Sequence, residues 1–219
     1  MPAERVMVQS DFDGTLTVGD ISFDILDEFT GRVWHKEFDD YMQGNITVNR
    51  FNTRAFSRVK ASRAELELFV RKNTVIRPGL DELISACKNK DYRFFIVSNG
   101  MAFYIEIVLE LAGLKNVEFV AGLAEFSNRG MKTWYPGPDG RAMEDGFKEA
   151  WTEHFLSQGY RVIYIGNGTS DFAPARRCSH IFAIDNLRSE CQKAGINYTS
   201  FNDLGDVANA IAAIKENQV

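Results

Sequence analysis

Apolar residues along this chain fall into two recurring arrangements. Short, nearly unbroken runs rich in Val, Ile and Phe occupy Arg5–Ser10 (RVMVQS), Tyr92–Asn99 (YRFFIVSN), Val117–Leu123 (VEFVAGL), Tyr160–Asn167 (YRVIYIGN) and His180–Ile184 (HIFAI). Runs of this length without polar alternation predict strands covered on both faces. The intervals between them carry helical spacing, at Gly79–Lys90, Ala102–Ala112, Lys148–Gln158, Asp171–Cys178 and Asp203–Lys215. Pro78 stands where a first-turn proline belongs, and Asp81 and Glu82 follow it at the positive end of the helix dipole. Strands alternating with helices predict an α/β fold, a doubly wound and mostly parallel sheet with helices on both faces.

Two stretches break the alternation. From Asp20 to Ile76 no strand pattern is present, and apolar residues recur at helical spacing (Phe23, Leu26, Phe29; Leu66, Phe69, Val70). This predicts a helical insert after the first strand, residues 20–76, dividing a core made of residues 1–19 and 77–219. The second stretch, Glu125–Gly146, holds Pro136, Pro138, Gly130, Gly137, Gly140 and Gly146 and reads as a hairpin or extended loop.

Composition narrows the picture further. With 219 residues, 45 % hydrophobic and 25 % charged, the chain suits one core domain with a modest insertion. The net charge of −5, spread without long runs, argues against a nucleic-acid surface and leaves a small anionic substrate open. Cys87, Cys178 and Cys191 are odd in number and form no CxxC pair, which argues against a disulfide framework or structural zinc and for a reducing cytoplasm. The opening MPAERVMVQS carries charge where a signal peptide needs an apolar run, and no apolar stretch approaches a membrane span.

Candidate chemistry gathers at strand ends, where doubly wound sheets bind ligands. Asp11 and Asp13 in DFDGTLT follow the first strand directly. At i and i+2 on an extended turn their carboxylates point the same way, as a shared cation or an acid/base pair requires, and Gly14 permits a tight turn; a calcium loop or a plain acidic turn is the plainer reading. Ser98-Asn99-Gly100 closes the second strand and opens a helix, offering a hydroxyl and N–H groups to an anion, or simply capping that helix. Lys148 opens a helix, where positive charge is unfavourable unless something negative holds it; Lys132 is the rival cation. Gly166-Asn167-Gly168-Thr169-Ser170-Asp171 ends another strand, with Asp171 either a helix cap or, with Asn167, part of a metal site facing Asp11 and Asp13.

In that order and spacing, DFDGTLT, SNG, the later lysine and GNGTSD resemble the four motifs of the haloacid dehalogenase (HAD) superfamily. The position of the insert resembles the helical cap of the phosphoserine-phosphatase-like branch. The finer strings SNGMAFYI, TRAF and DNLRSEC are most similar to the 2-hydroxy-3-keto-5-methylthiopentenyl-1-phosphate phosphatase group. The resemblance covers essentially the whole chain. It implies a cytoplasmic phosphatase of a small phosphorylated metabolite, with Asp11 as the nucleophile that forms an aspartyl-phosphate and Asp13 as general acid and then base. It implies Mg2+ held by the Asp11 carboxylate, the Asp13 carbonyl and Asp171, with Asn167 beside them, and phosphate bound by Ser98, Asn99 and Lys148. Asp20 at the hinge and Arg54 on a cap helix, packed through Phe51 and Val59, are expected to reach the leaving group.

Three departures qualify that expectation. The family usually has an acid where Asn167 stands, so one negative charge is missing from the metal site. The cap arginine that pairs with the carboxylate of phosphoserine aligns with Ala55, one place after Arg54. The cysteine-rich stretch usual before the lysine in the methionine-salvage group is replaced by Glu144-Asp145-Gly146-Phe147. A phosphoserine-phosphatase-like activity and a non-catalytic binding protein on the same scaffold are the competing readings.

Overall fold

The computed structural model describes residues 4–214; the last residue of the predicted helix Asp203–Lys215, and the outermost ends of the predicted core, lie outside them. The strands are β1 (Arg5–Ser10), β2 (Arg93–Met101), β3 (Glu118–Glu125), β4 (Lys132–Pro136), β5 (Ala142–Met143), β6 (Tyr160–Gly166), β7 (His180–Ala183) and β8 (Thr199–Ser200). They form one sheet in the order β5-β4-β3-β2-β1-β6-β7-β8. The pairs from β3 through β8 are parallel, whereas β4 and β5 fold back antiparallel as a hairpin, as the Pro- and Gly-rich stretch predicts. β1 lies between β2 and β6, its residues Val6 to Val8 buried on both faces. The crevice beyond its carboxyl end is thus the switch point of the sheet.

Four helices fill the stretch between β1 and the rest of the sheet: α1 (Ile21–Thr30), α2 (His35–Met42), α3 (Val48–Phe56) and α4 (Arg63–Asn73). Each follows local chemistry. Asp20, Thr47 and Ser62 cap α1, α3 and α4 by accepting from a backbone N–H in the first turn, and Ser62 with Glu65 forms a capping box. Phe23, Trp34, Phe38, Tyr41 and Phe51 pack ring against ring with centroids 4.9–6.4 Å apart, giving the insert an aromatic core of its own. The insert leaves and rejoins the sheet at one place, where the Val18 N–H donates to the Val75 carbonyl (2.9 Å) and the Arg77 N–H to Leu16 (2.8 Å). The Arg77 guanidinium also donates to the carbonyls of Gly14 and Thr15 (2.7 and 2.8 Å), bracing the loop after β1.

The remaining helices, α5 (Leu80–Asn89), α6 (Ala102–Leu111), α7 (Phe147–Ser157), α8 (Phe172–Ala175), α9 (Asp185–Ala194) and α10 (Leu204–Ala213), pack on the sheet. Two differ from expectation. The helix predicted over Asp171–Cys178 is one 3-10 turn followed by the single-turn α8, with Pro174 inside it. α9 carries no clear apolar stripe, since only Leu187 and Cys191 of DNLRSECQKA are buried. No helix among the described residues is long and apolar enough to cross a membrane.

Candidate active site

The ends of β1, β2 and β6 bring Asp11, Asp13, Ser98, Asn99 and Asn167, and the start of α7 brings Lys148, to the wall of one cavity of about 180 Å³, roofed by residues of the insert. Asp11 follows β1, its N–H donating to the Ile165 carbonyl of β6 (2.9 Å). Gly14 turns the chain behind it with φ 71°, and a methyl group there would collide with the Asn167 amide, so glycine is required both for the turn and for the approach.

Lys148 resolves the anomaly of a cation at a helix start. It is buried at the second position of α7, with Nζ 2.7 Å from Asp11 Oδ1 and 2.7 Å from Asp171 Oδ1. Burial alone would lower its pKa, but the two carboxylates outweigh that and hold it above its ordinary range. Asp11 is pushed up to about 7 by burial first and by Asp171 second, with Lys148 opposing. Asp13 is pushed well above the carboxylate range by burial and then by Asp20, and burial lifts Asp20 to about 6. Three carboxylates thus face a cavity whose single lysine is already shared with a fourth.

Several expectations change here. Asp171 was expected among the metal ligands. Its Oδ1 instead accepts from Lys148 and the Tyr164 hydroxyl (2.8 Å), and its Oδ2 from the N–H groups of Asn167 and Gly168 (3.1 and 2.8 Å). Fully buried and saturated behind the cavity, it supports Lys148, and a cation would have to displace those donors to reach it. Arg54 does not reach the cavity. Val48, Phe51, Asn52 and Ala55 form the i, i+3, i+4, i+7 stripe that α3 turns inward, and Arg54 falls off that stripe into solvent. Phe51 and Val59 are buried as expected. Asn99 borders the cavity, but its Nδ2 donates to Asn49 Oδ1 of the insert (2.9 Å). The rival Lys132 is exposed, 3.5 Å from Glu125 on the hairpin.

Asn52 and Asn186, not among the candidate residues read from the sequence, join the expected Ser98 at the cavity. Asn52 Nδ2 donates to the Asn99 carbonyl (2.8 Å) and to the Tyr135 hydroxyl (2.9 Å). Asn186 borders the cavity, carried there by Asp185, which adopts the left-handed conformation (φ 47°) at the start of α9. Ser98 Oγ accepts from the Gly100 N–H (2.9 Å) and borders the cavity.

Among the described residues no three of His, Cys, Asp and Glu stand close enough together to hold a metal ion. An oxygen set for a hard cation is nevertheless present once the amide is counted. Asp11 Oδ2 is not used by Lys148, the Asp13 carbonyl takes no hydrogen bond from the described residues, and Asn167 Oδ1, accepting from Thr15 Oγ1 at 3.0 Å, borders the cavity. With three carboxylates on the cavity against one committed lysine, the charge balance fits a divalent cation there.

A doubly wound α/β protein with one carboxylate clamped by a buried lysine, a second two residues on and an oxygen-rich floor belongs to the class of α/β hydrolytic enzymes acting on anionic groups. The family model of the haloacid dehalogenase-like hydrolases matches residues 8–176, and the chain belongs to that family. Among curated proteins it is 26 % identical over 97 % of its length, and 95 % of the other, to a 2-hydroxy-3-keto-5-methylthiopentenyl-1-phosphate phosphatase of Bacillus pumilus. A protein of the same name from Geobacillus kaustophilus is 29 % identical over 95 % of this chain and 96 % of that one. Among solved structures, phosphoserine phosphatase from T. onnurineus superposes with TM-score 0.71 at 16 % identity, covering 97 % of this chain and 96 % of that one. A phospho-aspartyl intermediate analogue of phosphoserine phosphatase gives TM-score 0.70 at 18 % identity, over 94 % and 99 %.

Proposed function

We propose that this hydrolase is a magnesium-dependent phosphatase of a small metabolite, of the 2-hydroxy-3-keto-5-methylthiopentenyl-1-phosphate kind, working through an aspartyl-phosphate on Asp11. The observation that carries the reading is Lys148 clamped between Asp11 and Asp171 at the floor of the cavity. That lysine fixes the Asp11 carboxylate with one oxygen toward the entering phosphate and neutralises charge on the phosphoryl group in transfer. Asp13 gives a proton to the leaving oxygen and later takes one from the attacking water. Ser98 and backbone N–H groups around it bind the remaining phosphate oxygens. Asp11 Oδ2, the Asp13 carbonyl and Asn167 would hold the magnesium ion, which would neutralise phosphate oxygens and favour ionised Asp11.

Residues 20–76 act as a cap that selects the substrate. The cap side of the cavity is mostly apolar, with Phe23, Phe38, Tyr41, Met42, Val48 and Phe51 beside the polar Ser22 and Asn52; Asp20 also lines it, and the lining carries no cation besides Lys148. An apolar tail such as a methylthio group suits that wall. The carboxylate of phosphoserine would meet Asp20 and no counter-ion, an unfavourable like-charge contact in a partly dry site. The expected result is that kcat/KM for phosphoserine falls at least about 10²-fold below that for the methylthiopentenyl phosphate, of the size expected when binding groups are left unpaired. Comparable values would overturn the substrate reading, and no magnesium-dependent turnover of any phosphomonoester would leave a ligand-binding scaffold. The cavity volume and the three unpaired cysteines fit a small substrate in a reducing cytoplasm.

Asn167→Asp should tighten magnesium by adding a charged ligand, lowering its dissociation constant about tenfold, or roughly 1.4 kcal/mol. Calorimetric titration checks this, and unchanged affinity would show that Asn167 does not face the metal.

A further inference from the structure

Asp13 is anchored on both oxygens, and both anchors lead to the first turn of the insert. Its Oδ1 accepts from the N–H of Ile21, the first residue of α1 (2.9 Å). Its Oδ2 lies 2.5 Å from the hydroxyl of Tyr104 on α6, and that hydroxyl lies 2.7 Å from Ser22 Oγ, the second residue of α1. Tyr104 is wholly buried, its ring against Phe12 and Phe103, so water does not compete for its hydroxyl. Gly100 makes the contact sterically feasible, because a methyl group there would collide with the Tyr104 hydroxyl and stand 2.5 Å from Asp13 Oδ2.

We infer that Tyr104 is a positioning residue for the proton transfer by Asp13, and that through Ser22 it ties the aim of that carboxyl to the seating of α1. The inference rests on the phosphatase reading. In the first step a bond forms between an Asp11 oxygen and phosphorus. The bond from phosphorus to the leaving oxygen breaks, its electron pair stays on that oxygen, and the proton of Asp13 moves there. As Asp13 becomes a carboxylate, the Ile21 N–H and the Tyr104 hydroxyl are already directed at its two oxygens. Donors set in place before the charge develops need no reorganisation when it does. A Ser22 displaced with α1 removes one partner from the Tyr104 hydroxyl, so Asp13 is fully aimed only when the insert is seated.

Leaving-group dependence separates this role from simple packing. Phenyl phosphate releases a basic phenolate that needs the proton, whereas 2,4-dinitrophenyl phosphate releases one that does not, and taking each variant's ratio against that of the unaltered protein cancels their difference in size. Because kcat/KM reports the step in which the leaving group departs, Tyr104→Phe should lower the ratio of kcat/KM for the phenyl ester to that for the dinitrophenyl ester at least tenfold. Ser22→Ala should lower it in the same direction by less. In an Asp13→Asn background Tyr104→Phe should leave the ratio where it was, since the group it aims is gone. Equal losses on both esters would overturn the inference and make Tyr104 a packing residue, while the phosphatase reading stood. Failure of the unaltered protein to hydrolyse either ester would overturn both. Should Tyr104→Phe not fold, the Ser22→Ala ratio decides in the same two ways.

Discussion

Asp11→Asn is expected to lower kcat by about 10⁴-fold or more and to abolish any phosphoryl adduct recoverable after acid quench, with the melting temperature nearly unchanged. The substitution is close to isosteric. The amide oxygen can still accept from Lys148, now 2.7 Å from Asp11 Oδ1, so the packing of a residue this buried is kept. What is lost is the nucleophile, because a carboxamide oxygen forms no stable acyl phosphate. Mass spectrometry of the quenched protein and a steady-state assay check the two halves independently. Turnover within tenfold of the unaltered protein, only about 1.4 kcal/mol of barrier, would exclude a covalent step on Asp11.

What the sequence made legible, and what it did not, follows from the range of the forces involved. The strands β1, β2, β6 and β7 were readable because a strand covered on both faces must be apolar almost throughout, and their ends then located Asp11, Ser98 and Asn167. The insert was readable as helical because the spacing of its apolar residues, Phe23, Leu26 and Phe29 and then Leu66, Phe69 and Val70, is a local signal. Which face of an insert helix turns inward is set by packing, and a shift of two residues separates Asn52, whose amide braces the Asn99 carbonyl, from Arg54 in solvent. The role of Asp171 depends on the 3-10 turn after β6, which bends the N–H groups of Asn167 and Gly168 onto its carboxylate. Tyr104 lies within the SNGMAFYI string, but nothing local pairs it with Asp13, because that contact spans 91 residues and exists only where Gly100 lets the two approach.

The second large effect is expected at Lys148. Lys148→Met should cost about 3–5 kcal/mol of stability, because removing one partner of a buried ion pair leaves uncompensated charge behind. Here two carboxylates, on Asp11 and Asp171, lose the same counter-ion at once. The sign with pH follows from Asp11, whose folded pKa of about 7 already stands above its ordinary 3.8. A carboxyl raised on folding contributes stability in full below its unfolded pKa and loses it as the pH rises through the folded one. The deficit of Lys148→Met should therefore be largest above pH 7 and shrink toward pH 4, as denaturant titrations across that window would record. Activity should fall as well, by about 10²–10³-fold, the usual cost of deleting one group that stabilises charge in the transition state. Adding Asp171→Asn separates the two losses. The double variant removes one of the stranded charges and should regain part of the stability, yet it restores no positive charge beside the phosphoryl group and should stay as slow as Lys148→Met. Recovery of activity together with stability would mean that Lys148 serves only to neutralise Asp171, and that phosphate is bound by other groups of the cavity.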